Sequence, residues 1–164
     1  MNMRVGLGFD VHRLVAGRPC KLGGIVLLHP SGPLGHSDGD AVLHAIADAL
    51  LGAAGLEDLG TLFSDRDPQW KDADSGKLLA ECLRRVRRSG WEIGNLDVVI
   101  ATEGPRIAPQ RAAMCASIAR ICGIEARQVN VKGKSLEGLG ALAGGTGVAV
   151  QAVCLLVGSS EAAR

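Results

Sequence analysis

Tyrosine is missing from this chain, and two phenylalanines and two tryptophans hold its aromatic share to 2%. So few stacking surfaces argue against a platform for single-stranded nucleic acid. A dominant charge is missing as well: 18 lysines and arginines against 17 aspartates and glutamates leave +1. No broad field therefore draws the chain to nucleic acid or to an anionic membrane. No apolar run approaches the ~20 residues of a membrane span, and the N-terminus shows no signal-peptide pattern. The five cysteines, Cys20, Cys82, Cys115, Cys122 and Cys154, are scattered, odd in number and without a Cys-x-x-Cys pair. That is the usage of buried reduced thiols, not of a disulfide framework. The expectation is a cytoplasmic protein with neither nucleic-acid nor membrane partners.

What is present is aliphatic. Hydrophobic residues make up 47% of the 164 positions, with 23 glycines for turns and close contacts. This length is read as one domain, residues 1–164, with a core of Ala, Val, Leu and Ile. Residues 4–12 and 21–28 read as strands, the second as a strand or hairpin around Gly23-Gly24, and residues 29–33 as a loop by composition. Ser37 or Asp38 is expected to N-cap a helix through Leu51 that Gly55 ends, with anion-welcoming N–H groups at its start. Residues 56–68 read as a surface loop. Asp74-Ser75 caps a second helix whose buried stripe is Leu78, Leu79, Cys82, Leu83 and Val86, and whose arginine-rich end suits the helix dipole. Residues 91–101 form a strand, a third helix runs from about Pro109 to Cys122, and strands follow at 129–134 and 148–157. The order β, β, α, α, β, α, β, β predicts an α/β (α+β) sandwich. One mixed sheet of four-stranded type carries helices on one face, with a small hairpin beside it.

The most polar short stretch is Gly35-His36-Ser37-Asp38-Gly39-Asp40, running into the first helix. Two of the chain's four histidines fall in or just after it, and Asp40, His44 and Asp48 are spaced to share one helix face. On the first strand Asp10 and His12 are two apart and point to one side. Joined by His44, they are the kind of ligand set an open Zn²⁺ site uses, with Asp40 and Asp48 placed to orient His44. The same residues also suit a polar core histidine beside a hydrogen-bonded aspartate, because spacing alone does not bring residue 10 to residue 44.

Lys132-Gly133-Lys134-Ser135 has the end of a phosphate-binding loop, but its required first glycine position is Gln128 and no helix start follows. The stretch keeps only a local meaning, two lysines and a hydroxyl able to meet phosphate. Gly138-x-Gly140-x-x-Ala143 likewise lacks a following helix.

These pieces together resemble a family. Gly6-x-Gly8-Phe9-Asp10-Val11-His12, the stretch from Gly35 to Asp40, Leu43-His44-Ala45-x-x-Asp48 through Ala54, and Asp58-x-Gly60-x-x-Phe63-x-Asp65-x-Asp67-Pro68 are similar to the 2-C-methyl-D-erythritol 2,4-cyclodiphosphate synthases of the non-mevalonate isoprenoid pathway. Glu103-x-Pro105-Arg106 fits more loosely, and the likeness runs over essentially the whole chain. The resemblance implies a homotrimer with active sites at its subunit interfaces. It also implies cyclisation of 4-diphosphocytidyl-2-C-methyl-D-erythritol 2-phosphate with release of CMP, a phosphorus–oxygen lyase reaction. By the family pattern Asp10, His12 and His44 hold Zn²⁺, and Glu137 holds Mg²⁺ or Mn²⁺ between the phosphates. His36 and Ser37 match the pair that contacts substrate phosphate. Asp58, Leu59, Gly60 and the run Phe63, Ser64, Asp65, Arg66, Asp67 match the loop around the erythritol. Thr102, Glu103, Gly104, Pro105, Arg106, Ile107 and Ala108, with Lys134, Ser135, Leu136 and Glu137, match the segments that bind cytidine and phosphates. His36 and Ser135 take the catalytic, charge-stabilising places.

The chemistry agrees, since attack of one phosphate on another needs its charge neutralised and held in line, and needs no protein nucleophile. The departures cluster late in the chain. Where the family has Thr-Thr-Thr-Glu, this chain has Lys134-Ser135-Leu136-Glu137, and Lys134 adds positive charge. Where the family has Gly-Arg-Gly-Glu-Gly, residues 143–147 lack the Arg and Glu of its central channel. Two alternatives share these residues: a member that binds a nucleotide or diphosphate without turnover, and a Zn²⁺ phosphohydrolase.

Overall fold

The computed structural model describes residues 2–159. The strands are β1 (Met3–Ala16), β2 (Cys20–Leu22), β3 (Ile25–Leu27), β4 (Ser31–Pro33), β5 (Trp91–Thr102), β6 (Val129–Lys134) and β7 (Gly147–Gly158). The helices are α1 (Ala41–Ala54), the single turn α2 (Leu59–Leu62), α3 (Ser75–Arg88) and α4 (Arg111–Cys122). The main sheet has five strands in the order β4-β1-β7-β5-β6, and β2 pairs with β3 as a separate hairpin. All pairings are antiparallel except β5 with β6, so the sheet is mixed.

The expected sheet gains a fifth strand. Residues 29–33, a loop by composition, contribute β4, which pairs Leu14 with Pro33 and Ala16 with Ser31. That pairing exists because β1 continues past His12 to Ala16, and proline is tolerated there because β4 is an edge strand. Residues 56–68 hold a helical turn capped by Asp58, which accepts from the Thr61 N–H at 2.7 Å. The second and third helices end as expected, α4 on left-handed Gly123.

Helix α1 is buried along nearly its whole length, lying on β1 and β7 beneath α3. Its seat depends on two glycines. A β-carbon at Gly6 would lie 1.9 Å from the Ala49 carbonyl oxygen, and one at Gly8 1.9 Å from that of Ala45. Two strand residues advance about 6.8 Å and four helix residues about 6 Å, so this glycine row keeps step with one helix face. The opposite face of β1 shows Met3, Val5, Leu7, Phe9 and Val11 to solvent, each at least 48% exposed. No described helix is long and apolar enough to cross a membrane.

Candidate functional site

Asp10 and His12 continue the inward row begun by Gly6 and Gly8, and so meet the first turns of α1. Asp10 Oδ2 lies 2.9 Å from His12 Nε2 and 2.9 Å from His44 Nδ1, and the two ring nitrogens are 3.3 Å apart. One ligand atom from each residue falls within 4.8 Å of the others, and little of each side chain reaches solvent. The fold therefore supplies the link between residues 10 and 44 that spacing left open.

The hydrogen-bond partners behind the rings test whether a cation fits. His12 Nδ1 is 2.7 Å from the Leu34 carbonyl oxygen, which can only accept, so that nitrogen carries the hydrogen and Nε2 turns a lone pair inward. His44 Nε2 is 2.9 Å from Ser75 Oγ and 3.1 Å from Ser37 Oγ, so its donor has acceptors on the far side. Two imidazole lone pairs and a carboxylate then converge with no donor between them, which suits a divalent cation. Without one, protons serve the same place. Burial opposes charge on both Asp10 and His12, yet their mutual hydrogen bonds and attraction win. They hold Asp10, aided by His44, well below the usual carboxylate range and raise His12 above the ordinary imidazole value. The cysteines take no part: all five are free and buried, and burial pushes the Cys82 and Cys122 thiols up to about 12.

A cleft of about 480 Å³ opens beside this corner, walled by Asp10, His12, His36, Ser37 and His44. Leu59, Gly60, Phe63, Asp65, Trp70, Leu78 and Asp48 complete it, and Phe63 and Trp70 meet edge to face with centroids 5.0 Å apart. His36 Nε2 sits 3.4 Å from the Asp67 carbonyl oxygen. Other residues of the expected erythritol loop hold the loop itself. Asp58 caps α2, Ser64 Oγ accepts from the Arg66 N–H at 3.2 Å, and Asp67 accepts from the Gln69 N–H at 3.0 Å.

A second pocket of about 430 Å³ gathers Thr102, Glu103, Pro105, Arg106, Ile107, Ala108, Gly133, Lys134 and Ser135. It shares no lining residue with the first. Glu103 Oε1 accepts from the Leu136 and Gly138 N–H groups at 3.0 and 3.2 Å, and Ser135 Oγ accepts from the Glu137 N–H at 2.9 Å. Glu137 is thereby held at φ 52°, a left-handed conformation uncommon for its type, with an exposed side chain outside the three-residue group. Lys132 is engaged elsewhere, its Nζ 2.6 Å from Asp97 Oδ2, so only Lys134 of the two lysines lines the pocket.

Three expectations about the first helix are corrected. Its N-cap is Asp40, not Ser37 or Asp38, and the Asp40 carboxylate itself takes the Val42 and Leu43 N–H groups. Those donors are thus unavailable to an anion. Asp40 does not orient His44 either: its oxygens also accept from Gly23 and Gly24 at 2.8 and 2.7 Å, pinning the β2–β3 turn to the helix. Asp48 accepts from the Leu59 N–H at 2.8 Å and anchors α2. The contact behind His44 comes instead from Ser75, which reads in the sequence only as part of a helix cap.

An aspartate and two histidines converging at a cleft, on a mixed sheet covered by helices, define a candidate metal-dependent α/β protein. The chain belongs to the YgbB family, whose model matches residues 3–157. A curated relative from Desulfatibacillum aliphaticivorans, named 2-C-methyl-D-erythritol 2,4-cyclodiphosphate synthase, is 50% identical over 154 residues, covering 94% of this chain and 99% of the relative. The solved bifunctional IspDF of Campylobacter jejuni superposes with a TM-score of 0.91 at 36% identity over 94% of this chain, which spans 42% of that longer one. A CDP complex of IspF from Plasmodium falciparum superposes with a TM-score of 0.85 at 30% identity, over 97% of this chain and 98% of that one.

Proposed function

We propose that this chain cyclises 4-diphosphocytidyl-2-C-methyl-D-erythritol 2-phosphate to 2-C-methyl-D-erythritol 2,4-cyclodiphosphate and releases CMP. The observation that carries the reading is the convergence of Asp10, His12 and His44 at a cleft, in a chain half identical to a named synthase over nearly its full length. An oxygen of the 2-phosphate bonds to the phosphorus attached at C4, and the bridge from that phosphorus to the cytidylate breaks. The substrate thus supplies its own nucleophile, and the protein positions and neutralises charge.

Asp10, His12 and His44 suit Zn²⁺, and Glu137 is the carboxylate for Mg²⁺ or Mn²⁺. Bound there, the two cations would spread the phosphate charge as Lewis acids. His36 and Ser37 on the cleft wall would meet substrate phosphate, and the Asp58–Gly60 and Phe63–Asp67 segments would close around the erythritol. Thr102 to Ala108 would take the cytidine, in keeping with the CDP bound by the Plasmodium falciparum relative. Lys134, Ser135, Leu136 and Glu137 would face the diphosphate, with the Ser135 hydroxyl donating to developing charge and Lys134 adding a cation.

One chain holds these groups in two pockets that share no lining residue. A homotrimer, joining the metal corner of one subunit to the nucleotide pocket of the next, is the assembly that unites them. The exposed apolar row on β1 supports it, because a sheet face of this kind calls for a partner. We also infer a single domain over residues 1–164 and a cytoplasmic location, which five buried free thiols suit.

Incubation with the cytidyl substrate, Zn²⁺ and Mg²⁺ should yield CMP and the cyclic diphosphate in equal amounts. No CMP from folded, metal-loaded protein would overturn the reading, and a linear product would make the chain a phosphohydrolase.

A further inference from the structure

Behind His44 runs a chain of polar contacts through three segments of the fold. His44 Nε2 lies 2.9 Å from Ser75 Oγ, and Ser75 Oγ in turn hydrogen-bonds Asp38 Oδ1. Asp38 Oδ2 takes the Lys21 ammonium at 2.6 Å, and Lys21 also reaches Asp74 Oδ2 at 2.8 Å. The Asp38 carboxylate is fully occupied by donors: besides Lys21 and the Ser75 hydroxyl, it accepts from the Asp40 N–H at 3.2 Å and the Ser75 N–H at 3.1 Å. Ser75 is 1% exposed, so no bulk water competes for its hydroxyl.

These contacts have only one consistent polarity. An ionised carboxylate cannot donate, so the Ser75 hydrogen points at Asp38. The oxygen of Ser75 then presents lone pairs to His44, and the hydrogen on the imidazole has to sit on Nε2. Ser37 Oγ, 3.1 Å from the same nitrogen and accepting from the Gly39 N–H at 3.2 Å, is compatible with that direction. Nδ1 then turns its lone pair toward Asp10 and His12, where a cation, or a second proton in its place, joins it to Asp10 Oδ2 at 2.9 Å.

We propose that Ser75, polarised by Asp38 and Lys21, is the positioning residue that sets the tautomer and ring angle of His44 for metal binding. It touches neither the metal place nor the cleft. Its influence passes through one hydrogen bond, as the carbonyl of Leu34 does for His12. The difference is that a backbone carbonyl has fixed polarity, whereas a hydroxyl can turn. Asp38 is what prevents Ser75 from turning.

The proposal rests on the metal reading of Asp10, His12 and His44, and the test separates the two. Zn²⁺ affinity is measured by competition with a chromogenic chelator for the full chain, Ser75→Ala and Asp38→Asn. The His44 tautomer is read in the same proteins by ¹⁵N-detected histidine NMR at alkaline pH. The unsubstituted chain should bind one Zn²⁺ and show the Nε2–H form at His44. Ser75→Ala should bind Zn²⁺ about tenfold to a hundredfold more weakly, the range for loss of an outer partner of a ligand. In Asp38→Asn the amide can donate to Ser75, freeing the hydroxyl to turn, so the Nδ1–H form should appear at His44 and affinity should fall with it. Tight Zn²⁺ binding and an unchanged tautomer in both variants would overturn the positioning role while leaving the metal site standing. Failure of the unsubstituted chain to bind Zn²⁺ would overturn both.

Discussion

The candidate metal corner and the pocket around Glu103 and Ser135 are built in opposite ways. At the corner, ligands come from the middle of a strand and the first turn of a buried helix, and every ring nitrogen has a partner within 3.3 Å. At the other pocket the groups sit on the segment after β5 and on a glycine-rich loop after β6, and most of residues 134–141 are exposed. Two backbone N–H groups on Glu103 and one on Ser135 hold that loop. The first region is preorganised by packing, the second by a few exposed hydrogen bonds that can open and close. A cation needs fixed donors, whereas a substrate that must enter and leave is served by a loop able to yield. The contrast predicts that substitutions at the corner act on metal binding, on the fold or on both, while those at the loop act on turnover alone.

The largest effect expected is from His44→Ala. It removes one of three ligands and should abolish stoichiometric Zn²⁺ and with it activity, by more than the about hundredfold that loss of an outer partner costs. Circular dichroism should show the fold retained, because His44 borders the cleft, so the shorter side chain leaves a space that opens to it rather than a closed core cavity. Stoichiometric zinc in this variant, measured by emission spectroscopy, would refute the ligand assignment.

Gly8→Ala probes the same corner through its scaffold. The new methyl would meet the Ala45 carbonyl at 1.9 Å, and because that partner is helix backbone it cannot swing aside. A loss of about 3 kcal/mol is expected in urea unfolding, at the upper end of overpacking costs. Since Ala45 adjoins His44, Zn²⁺ affinity should fall too. A variant that unfolds early yet binds Zn²⁺ normally would break the link drawn between the seat of α1 and the metal geometry.

Glu103 tests the yielding side. Glu103→Ala should lower kcat about tenfold, with Zn²⁺ content and urea midpoint unchanged, because it frees the turn that carries Ser135 and Glu137. Glu103→Gln should retain most activity, since one amide oxygen can accept from both N–H groups as Oε1 does now. Equal kcat for Ala and Gln variants would show that the turn holds itself.

Much of this was legible in the sequence, and what was not has a common cause. Helix ends marked by Gly55 and Gly123 and the limits of β6 follow from local chemistry, left-handed glycine caps and an alternating apolar run. The pairing that makes Ser31–Pro33 a strand is set by a segment fifteen or so residues away, so local composition hides it. The roles of Asp40, Asp48 and Ser75 are hidden from local sequence for the same reason. Their hydrogen bonds run to Gly23 and Gly24, to Leu59 and to His44, and helix periodicity carries no trace of those partners. Asp10, His12 and His44 stand out in the sequence through the family pattern, and the structure brings them together. What spacing omitted was the step from residue 10 to residue 44, and Gly6-x-Gly8 was the available signal, since only a helix pressed onto the strand needs two glycines in a row on one face.

The smallest effect separates the corner with its cation from the corner without it. In chelator-treated protein Asp10 titrates below its unfolded value, so its contribution is complete above a pH of about 4 and is lost as pH falls toward its depressed folded value. His12 titrates above its unfolded value, so its contribution is complete below about 6.5 and is lost as pH rises through its raised folded value. Thermal stability of the metal-free chain should therefore carry a shallow maximum between these limits, and Asp10→Asn should flatten it. Zn²⁺ binding should run the other way, strengthening as pH climbs through the raised His12 value, because the cation displaces the proton held there. The alkaline side is thus where the empty corner weakens and the filled one gains. A metal-free stability curve unchanged by Asp10→Asn would mean that the three side chains do not share a proton when no cation holds them together.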